Sequence, residues 1–180
     1  EEFAQFFNVV FGNSSLLPGI TVERINLSEE LLEWFPGPKF GVAGLRVRLG
    51  AYDRPLAFTA LKPMGLPTVA LADEAYHCAK GGVDLIKDDH GLMNQTFSDY
   101  KDRVKAVCEA IRQGNEESGH HTAYVPNLSG RCDAIMDRIR YAEDCGAGGI
   151  MLAPALVGYD TMQYAARNTV LPVVAHPAMA

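Results

Sequence analysis

From Pro55 onward the apolar positions switch regularly between two spacings. Leu56-Ala57-Phe58-Thr59-Ala60-Leu61-Lys62-Pro63 is an apolar run stopped by proline, which reads as a buried strand. Beyond it Thr68 can cap a helix carrying Leu71, Ala75, Cys78 and Ala79 on one face. Val83 to Asp89 predicts the next strand. Thr96 with Asp99 makes a capping-box signature ahead of Tyr100, Val104, Val107, Cys108 and Ile111, the longest helical pattern in the chain. Thr122 to Leu128 predicts a third strand, in which Pro126 limits hydrogen bonding near the end. Ile135, Ile139 and Ala142 mark a third helix closed by Gly146. A fourth strand over Gly149 to Pro154, a fourth helix over Asp160 to Asn168 and a fifth strand over Leu171 to His176 complete the series.

Residues 1–53 have a different texture. Phe3, Phe6, Phe7 and Phe11 crowd the start, Ile20 to Ile25 alternates like a strand, and Ser28 is placed to cap a helix over Glu29 to Trp34 that Pro36-Gly37-Pro38 stops. Gly41 to Leu49 predicts one more short helix. This part reads as the end of a preceding domain with a linker, and residues 54–180 as a separate unit.

Strict strand–helix alternation with strands apolar on both faces means a parallel sheet covered by helices, either doubly wound or part of a (β/α)8 barrel. Both place their sites at the carboxyl ends of strands. Polar residues gather there: Lys62 on the first strand, Lys87 to His90 on the second, Asn127 on the third and His176 on the fifth. No Gly-x-Gly-x-x-Gly follows the first strand, which argues against the dinucleotide fold. A full barrel needs about 250 residues, so this would be the first five β/α units of one.

Composition changes this picture little. A chain of 180 residues with 48% hydrophobic residues has material for one sizeable core, and a net charge of −6 argues against a nucleic-acid or anionic-membrane surface. No apolar run approaches the roughly 20 residues of a membrane span, and a cytoplasmic location is the expectation. The four cysteines, Cys78, Cys108, Cys132 and Cys145, form no C-x-x-C pair and read as buried reduced thiols. The chain opens without methionine and stops within a strand end, so a fragment is expected.

Chemistry concentrates at the second strand end. Lys62 and Lys87 on neighbouring strands would repel if both were charged, so one is expected to lose its proton more readily or to be neutralised chemically. Such a lysine can abstract a proton beside a carbonyl, form a Schiff base or take up carbon dioxide as a carbamate. Asp88 and Asp89 with a carbamate at Lys87 would make a hard oxygen site of the kind magnesium takes. His90 suits zinc, iron or nickel better, and is alternatively a general acid or base or a cap of the next turn. His77, His120 and His121 read as surface or packing residues.

The run GGVDLIKDDHG at Gly81 to Gly91 closely resembles the metal-site segment of the ribulose-bisphosphate carboxylase large chain, Gly-Gly-x-Asp-Phe-x-Lys-Asp-Asp-Glu. NVVFG at Asn8 to Gly12, FPGP at Phe35 to Pro38, RPLAFTALKP at Arg54 to Pro63 and AHPAM at Ala175 to Met179 agree with that family in order. The resemblance implies an α/β fold: the first five β/α units of a TIM barrel, preceded by the end of an α+β amino-terminal domain. It implies that Lys87 is the lysine that becomes carbamylated and ligates magnesium, that Asp89 is a carboxylate ligand, and that Lys62 is the enolisation base. Asn8 would reach the partner subunit's site, His176 would contact the sugar phosphate, and Asn127 falls near a family asparagine on the third strand. A homodimer or larger homo-oligomer with shared active sites is implied as well.

Departures from the family pattern redirect the functional reading. His90 stands in the place of the third metal ligand, a glutamate, and Pro177 in the place of a phosphate-binding arginine; the His-Asp pair of the fourth strand reads Leu152-Ala153, and the loop after Lys62 is shortened. The chain is most similar to the RuBisCO-like, form IV branch. That resemblance implies an enzyme that enolises, isomerises or decarboxylates a small phosphorylated keto-sugar or sugar acid, such as 5-methylthioribulose 1-phosphate, with Lys62 or Lys87 as base. Two alternatives stand beside it: carboxylation of ribulose bisphosphate with His90 as a substitute ligand of magnesium, and a non-catalytic scaffold.

Overall fold

The computed structural model describes residues 2–35 and 37–179. The amino-terminal part holds three helices, α1 (Phe3–Phe11), α2 (Glu29–Leu32) and α3 (Gly41–Leu49). Ser28 caps α2 as expected, its hydroxyl accepting from the Leu31 amide at 3.4 Å. The proposed stop at Pro36 lies outside the described residues. The expected strand over Ile20 to Ile25 does not form. Ile20 and Ile25 are exposed there, and among the described residues no strand pairs with the segment, so alternation alone has no ladder to join.

Beyond the linker come β1 (Phe58–Leu61), α4 (Thr68–Lys80), β2 (Leu85–Asp88), α5 (Tyr100–Ser118), β3 (Ala123–Val125), α6 (Cys132–Asp144), β4 (Ile150–Leu152), α7 (Pro154–Val157), α8 (Tyr159–Arg167) and β5 (Val173–Ala175). All strand pairings are parallel: β1–β2–β3 form one sheet and β4–β5 another. Among the described residues one bridge, Asn127 with Met151, links the two sheets, supported by Met151 N–H to the Pro126 carbonyl and Leu128 N–H to the Met151 carbonyl, both at 2.9 Å. Pro126 has no N–H to give, which is why the ladder breaks between β3 and β4. The fold is therefore α/β with parallel strands, as the alternation predicts. The short α7, directly after β4, was not legible from the apolar spacing.

Two cores result from the two faces of the strands. On the helix side Leu61, Ile86, Tyr124, Ile150 and Leu152 meet Leu71, Val104, Val107, Ile135 and Ile139 in one cluster, where each fully buried side chain contributes about 1.5–3 kcal/mol. Gly114 lets α5 approach α4 closely, since a Cβ there would sit 2.9 Å from the Ala79 Cβ and from the Tyr76 carbonyl oxygen. On the other face Leu49 and Ala51, at the end of α3 and just beyond it, pack with Leu85, Val125 and Met151. Arg46 fixes that turn by donating to the carbonyls of Ala51, Tyr52 and Arg54. Asp84 ties the entry of β1 to β2: its carboxylate accepts two bonds from Arg54, at 2.6 and 2.7 Å, and one from the Ala57 amide at 2.8 Å.

Local caps differ from expectation. Pro67, not Thr68, is the N-cap of α4, and the Thr68 hydroxyl instead meets Ser98 at 2.9 Å. The first amides of α5 are taken by Asn94 and Asp99, without Thr96. All four cysteines are free thiols, but none is fully buried, and Cys132, at the first position of α6, is exposed. Burial still pushes the Cys108 thiol up to about 12.

Candidate active site

Register decides which strand-end side chains share a face. Ala60 pairs with Lys87 and Leu61 with Asp88, so one step further Lys62 comes beside Asp89. Side chains alternate along a strand, which places Lys87 and Asp89 on one face and Asp88 on the other. The structure follows this rule. Lys62 Nζ lies 3.1 Å from Asp89 Oδ2, and His90 Nδ1 lies 3.2 Å from Asp89 Oδ1, which also accepts from the Gly91 amide at 2.9 Å. The His90 ring stacks on His176 with centroids 4.9 Å apart and an interplanar angle of 9°. His176 Nδ1 accepts from the Ala178 amide at 3.1 Å. Lys62, Lys87, Asp89, His90 and His176 thus form one cluster at the carboxyl ends of β1, β2 and β5.

Charges in this cluster are tuned by their neighbours. Burial first, and then the nearby Lys62 charge, lower the proton affinity of Lys87 below the ordinary lysine range, against the pull of Asp89 and Asp88. Among the described residues its Nζ donates only to the Asp88 carbonyl, at 3.1 Å. Burial opposes the charge of Asp89, but the Gly91 amide, Lys62 and His90 outweigh it and hold the carboxyl below its ordinary value. His176 is pushed down by burial and by the charges of Lys87 and His90.

Asp88 belongs to a different assembly. It is fully buried on the helix side, where its carboxylate takes the Tyr124 hydroxyl at 2.6 Å, the Asn127 amide at 2.9 Å and the Arg103 guanidinium at 3.3 Å. Burial pushes the Asp88 carboxyl above its ordinary value, against the pull of these three donors, which favour the carboxylate. The hard oxygen pair Asp88–Asp89 expected from the sequence is therefore corrected to Asp89 alone. Arg103 and Tyr124 escaped the sequence reading. The signal for Arg103 was present: a charged residue on the same α5 face as Tyr100, Val104 and Val107 needs a buried partner.

Asn127 is 2% exposed and works within the loops, its amide donating to the His90 carbonyl at 2.8 Å and its carbonyl accepting from the Ser129 amide at 3.0 Å. Asn8 is exposed on α1, and no hydrogen bond, ion pair or ring contact among the described residues joins it to the cluster. Its helix instead docks on α8, where Asp160 accepts from the Phe3 and Ala4 amides and Phe7 stacks on Tyr159 at 4.8 Å. A cavity of about 660 Å³ lies at the opposite, amino ends of the strands, bounded by Leu85, Thr122, Gly148 and Pro172, away from this chemistry.

The model for the ribulose bisphosphate carboxylase large chain, catalytic domain, matches residues 41–179. The chain belongs to that family. Within the RuBisCO family it is similar to the 5-methylthioribulose-1-phosphate isomerase of Rhodospirillum rubrum, 42% identical over 178 residues, covering 98% of this chain and 48% of the relative. It is 35% identical to the 2,3-diketo-5-methylthiopentyl-1-phosphate enolase of Bacillus velezensis, over 94% of this chain and 43% of that protein. The crystal structure of a Rubisco-like protein from Rhodopseudomonas palustris matches with a TM-score of 0.92 at 44% identity, over 99% of this chain and 52% of that one. The chain thus spans about half the length of the curated relatives it matches. No helix among the described residues is long and apolar enough to cross a membrane.

RuBisCO membership generally implies magnesium and a carbamylated lysine. Among the described residues no three His, Cys, Asp or Glu side chains converge on a metal position. Asp89 offers one hard oxygen and His90 a nitrogen, and a carbamate on Lys87 would supply a second hard oxygen. The lowered proton affinity of the half-buried Lys87 amine suits that modification, because carbon dioxide reacts with the neutral amine.

Proposed function

We propose that the full-length protein catalyses enolisation and isomerisation of a small phosphorylated keto-sugar, with 5-methylthioribulose 1-phosphate as the first substrate to test. The observation that carries this reading is the strand-end arrangement of a half-buried lysine of lowered proton affinity, Lys87, beside the Lys62–Asp89 ion pair. The names of the relatives support the substrate class. Residues 54–180 are read as the first five β/α units of a TIM barrel, and residues 1–53 as the end of the preceding domain with its linker.

In this reading Lys87 supplies the basic atom that removes the proton beside the carbonyl, either as the free amine or through its carbamate. Lys62, 62% exposed at its side chain and anchored by Asp89, presents its ammonium to the developing enolate oxygen. A carbamate on Lys87 together with Asp89 would give magnesium two oxygen ligands, with His90 as a nitrogen third, and the ion would add positive charge beside the enolate. Asn127 holds the His90 backbone, and His176 borders the substrate from β5. Asn8, exposed and apart from the cluster, is available to a neighbouring subunit's site, as a homodimer or larger assembly would require.

Carboxylation of ribulose bisphosphate is disfavoured by Pro177 and by Leu152-Ala153, which remove charged groups that the family pattern has there. A scaffold role would have been favoured by a Lys87–Asp89 ion pair, whereas the partner of Asp89 is Lys62. The test is proton NMR of 5-methylthioribulose 1-phosphate and related keto-sugar phosphates with the full-length protein in deuterated water. Loss of the proton signal at the carbon beside the carbonyl is expected; retention of that signal in every compound would sink the reading.

A further inference from the structure

Lys62 stands one residue beyond β1, where the ladder to β2 ends at the Leu61–Asp88 pair, so its backbone amide has no strand to bond to. That amide donates instead to Glu74 Oε2 on α4, at 3.2 Å. Pro63 has no N–H to give, and among the described residues no other backbone amide from Lys62 to Pro67 donates a hydrogen bond. Two polar contacts therefore anchor Lys62: Glu74 holds its backbone, and Asp89 meets its Nζ at 3.1 Å. Glu74 itself sits at a place that suits an apolar side chain. It is half-buried on the α4 face that carries Leu71, one turn before it, and Cys78, one turn after, both part of the helix-side core. Burial pushes its carboxyl above the ordinary value, and the Lys62 amide pulls it back. Among the described residues that amide is its one hydrogen-bond partner. Packing alone gives no reason for a carboxylate there, and the amide of Lys62 does.

We propose that Glu74 is a positioning residue, which fixes the backbone of Lys62 so that the ammonium at the end of its long side chain reaches the enolate oxygen from a set origin. This rests on the enolisation reading above. Glu74 touches no reacting atom and acts through Lys62 alone. A lysine side chain turns about four single bonds, so the place of its ammonium is defined only if its Cα is held. Asp89 steadies the far end of the side chain and Glu74 the near end. Without the near anchor the segment between β1 and α4 is free to shift, and a displacement of about 1 Å at a charge-stabilising group costs up to about 100-fold in rate. The loss falls on the transition state, where the enolate charge develops, and not on substrate binding.

The test is a double-mutant cycle in the full-length protein with 5-methylthioribulose 1-phosphate, read as kcat, KM and deuterium entry into substrate. Glu74→Met removes the acceptor and fills its place with an apolar chain. Its kcat is expected to fall about 10- to 100-fold with KM little changed, while the melting temperature holds or rises, because a desolvated carboxylate is gone. Glu74→Gln, whose amide oxygen still accepts from the Lys62 amide, should restore most of that kcat. In a Lys62→Met background, with deuterium entry followed over hours, Glu74→Met should lower the rate no further. Hydrogen exchange at the Lys62 amide should quicken in Glu74→Met and not in Glu74→Gln. Parental kcat in Glu74→Met, an equal loss in Glu74→Gln, or the same further loss in the Lys62→Met background overturns the role of Glu74. Absence of deuterium entry in the parent protein instead overturns the enolisation reading, and this inference with it.

Discussion

Asp88 and Arg103 form an ion pair with 3.3 Å between Oδ2 and Nη2, and both side chains are fully buried. Arg103 also donates to the carbonyls of Ser98 and Met93, at 3.0 and 2.6 Å, so one guanidinium ties the end of β2 to the loop that leads into α5. Removing either partner strands a charge away from water. Arg103→Met and Asp88→Asn should each lower unfolding free energy by about 3–5 kcal/mol in urea titrations. The double variant Asp88→Asn/Arg103→Met should cost less than the sum of the two singles. Additive losses would mean that the two residues act separately.

Lys62 and Asp89 present the opposite case. With Lys62 mostly exposed, the pair adds about 0–1 kcal/mol at most, so Lys62→Met should leave the melting temperature nearly unchanged. Turnover of the keto-sugar phosphate should nevertheless drop about 100-fold or more, and the same variant with parental kcat would remove Lys62 from the mechanism.

Lys87 carries a desolvation cost that its neighbours do not fully repay. Lys87→Met removes that partly desolvated charge and keeps the aliphatic stem, so a rise in melting temperature is expected together with loss of deuterium entry into substrate. A stability gain joined to an activity loss separates a functional lysine from a structural one. A drop in melting temperature would assign Lys87 to the frame of the fold.

Asp84 gives the pH dependence. Arg54 first, with the Ala57 amide and against burial, holds its carboxyl below the ordinary value of 3.8. The native protein therefore binds that proton more weakly than the unfolded chain. The stabilisation is complete above pH 3.8 and is lost as pH falls through the lowered native value. Asp84→Asn should flatten the fall in melting temperature below pH 3.8, and an unchanged acid limb would place the effect elsewhere.

Asn127→Ala removes a buried side chain bonded to the His90 carbonyl and the Ser129 amide. About 1–3 kcal/mol of stability should be lost, with a fall in turnover of the keto-sugar phosphate, because the turn that carries His90 loosens.

Much of this arrangement is legible along the chain. The alternation from Pro55 to His176 gives every β/α unit, because each strand and helix buries a face whose period differs from that of its neighbours. The same period-2 rule separates Lys87 and Asp89 from Asp88, although a pair of adjacent carboxylates invites the opposite reading. Local polar choices were less legible. Thr68 and Thr96 look like caps, yet Pro67 precedes α4 and Asn94 with Asp99 serves α5, since several nearby groups can satisfy the same amides. Ile20 to Ile25 has the rhythm of a strand and no partner to pair with. The stacking of His90 on His176 links residues far apart in sequence and depends on the spacing between strand ends, which no single segment encodes.

Leu49 and Ala51 precede β1, yet they fill the inner face of the strands against Leu85, Val125 and Met151. They act as a stopper fitted from outside the alternating unit. A gene fragment opening at codon 54 would encode all five strands and leave that face wet, exposing apolar side chains that favour aggregation. Excision of the alternating unit therefore has to start ahead of Gly41, so that the stopper travels with the strands it closes.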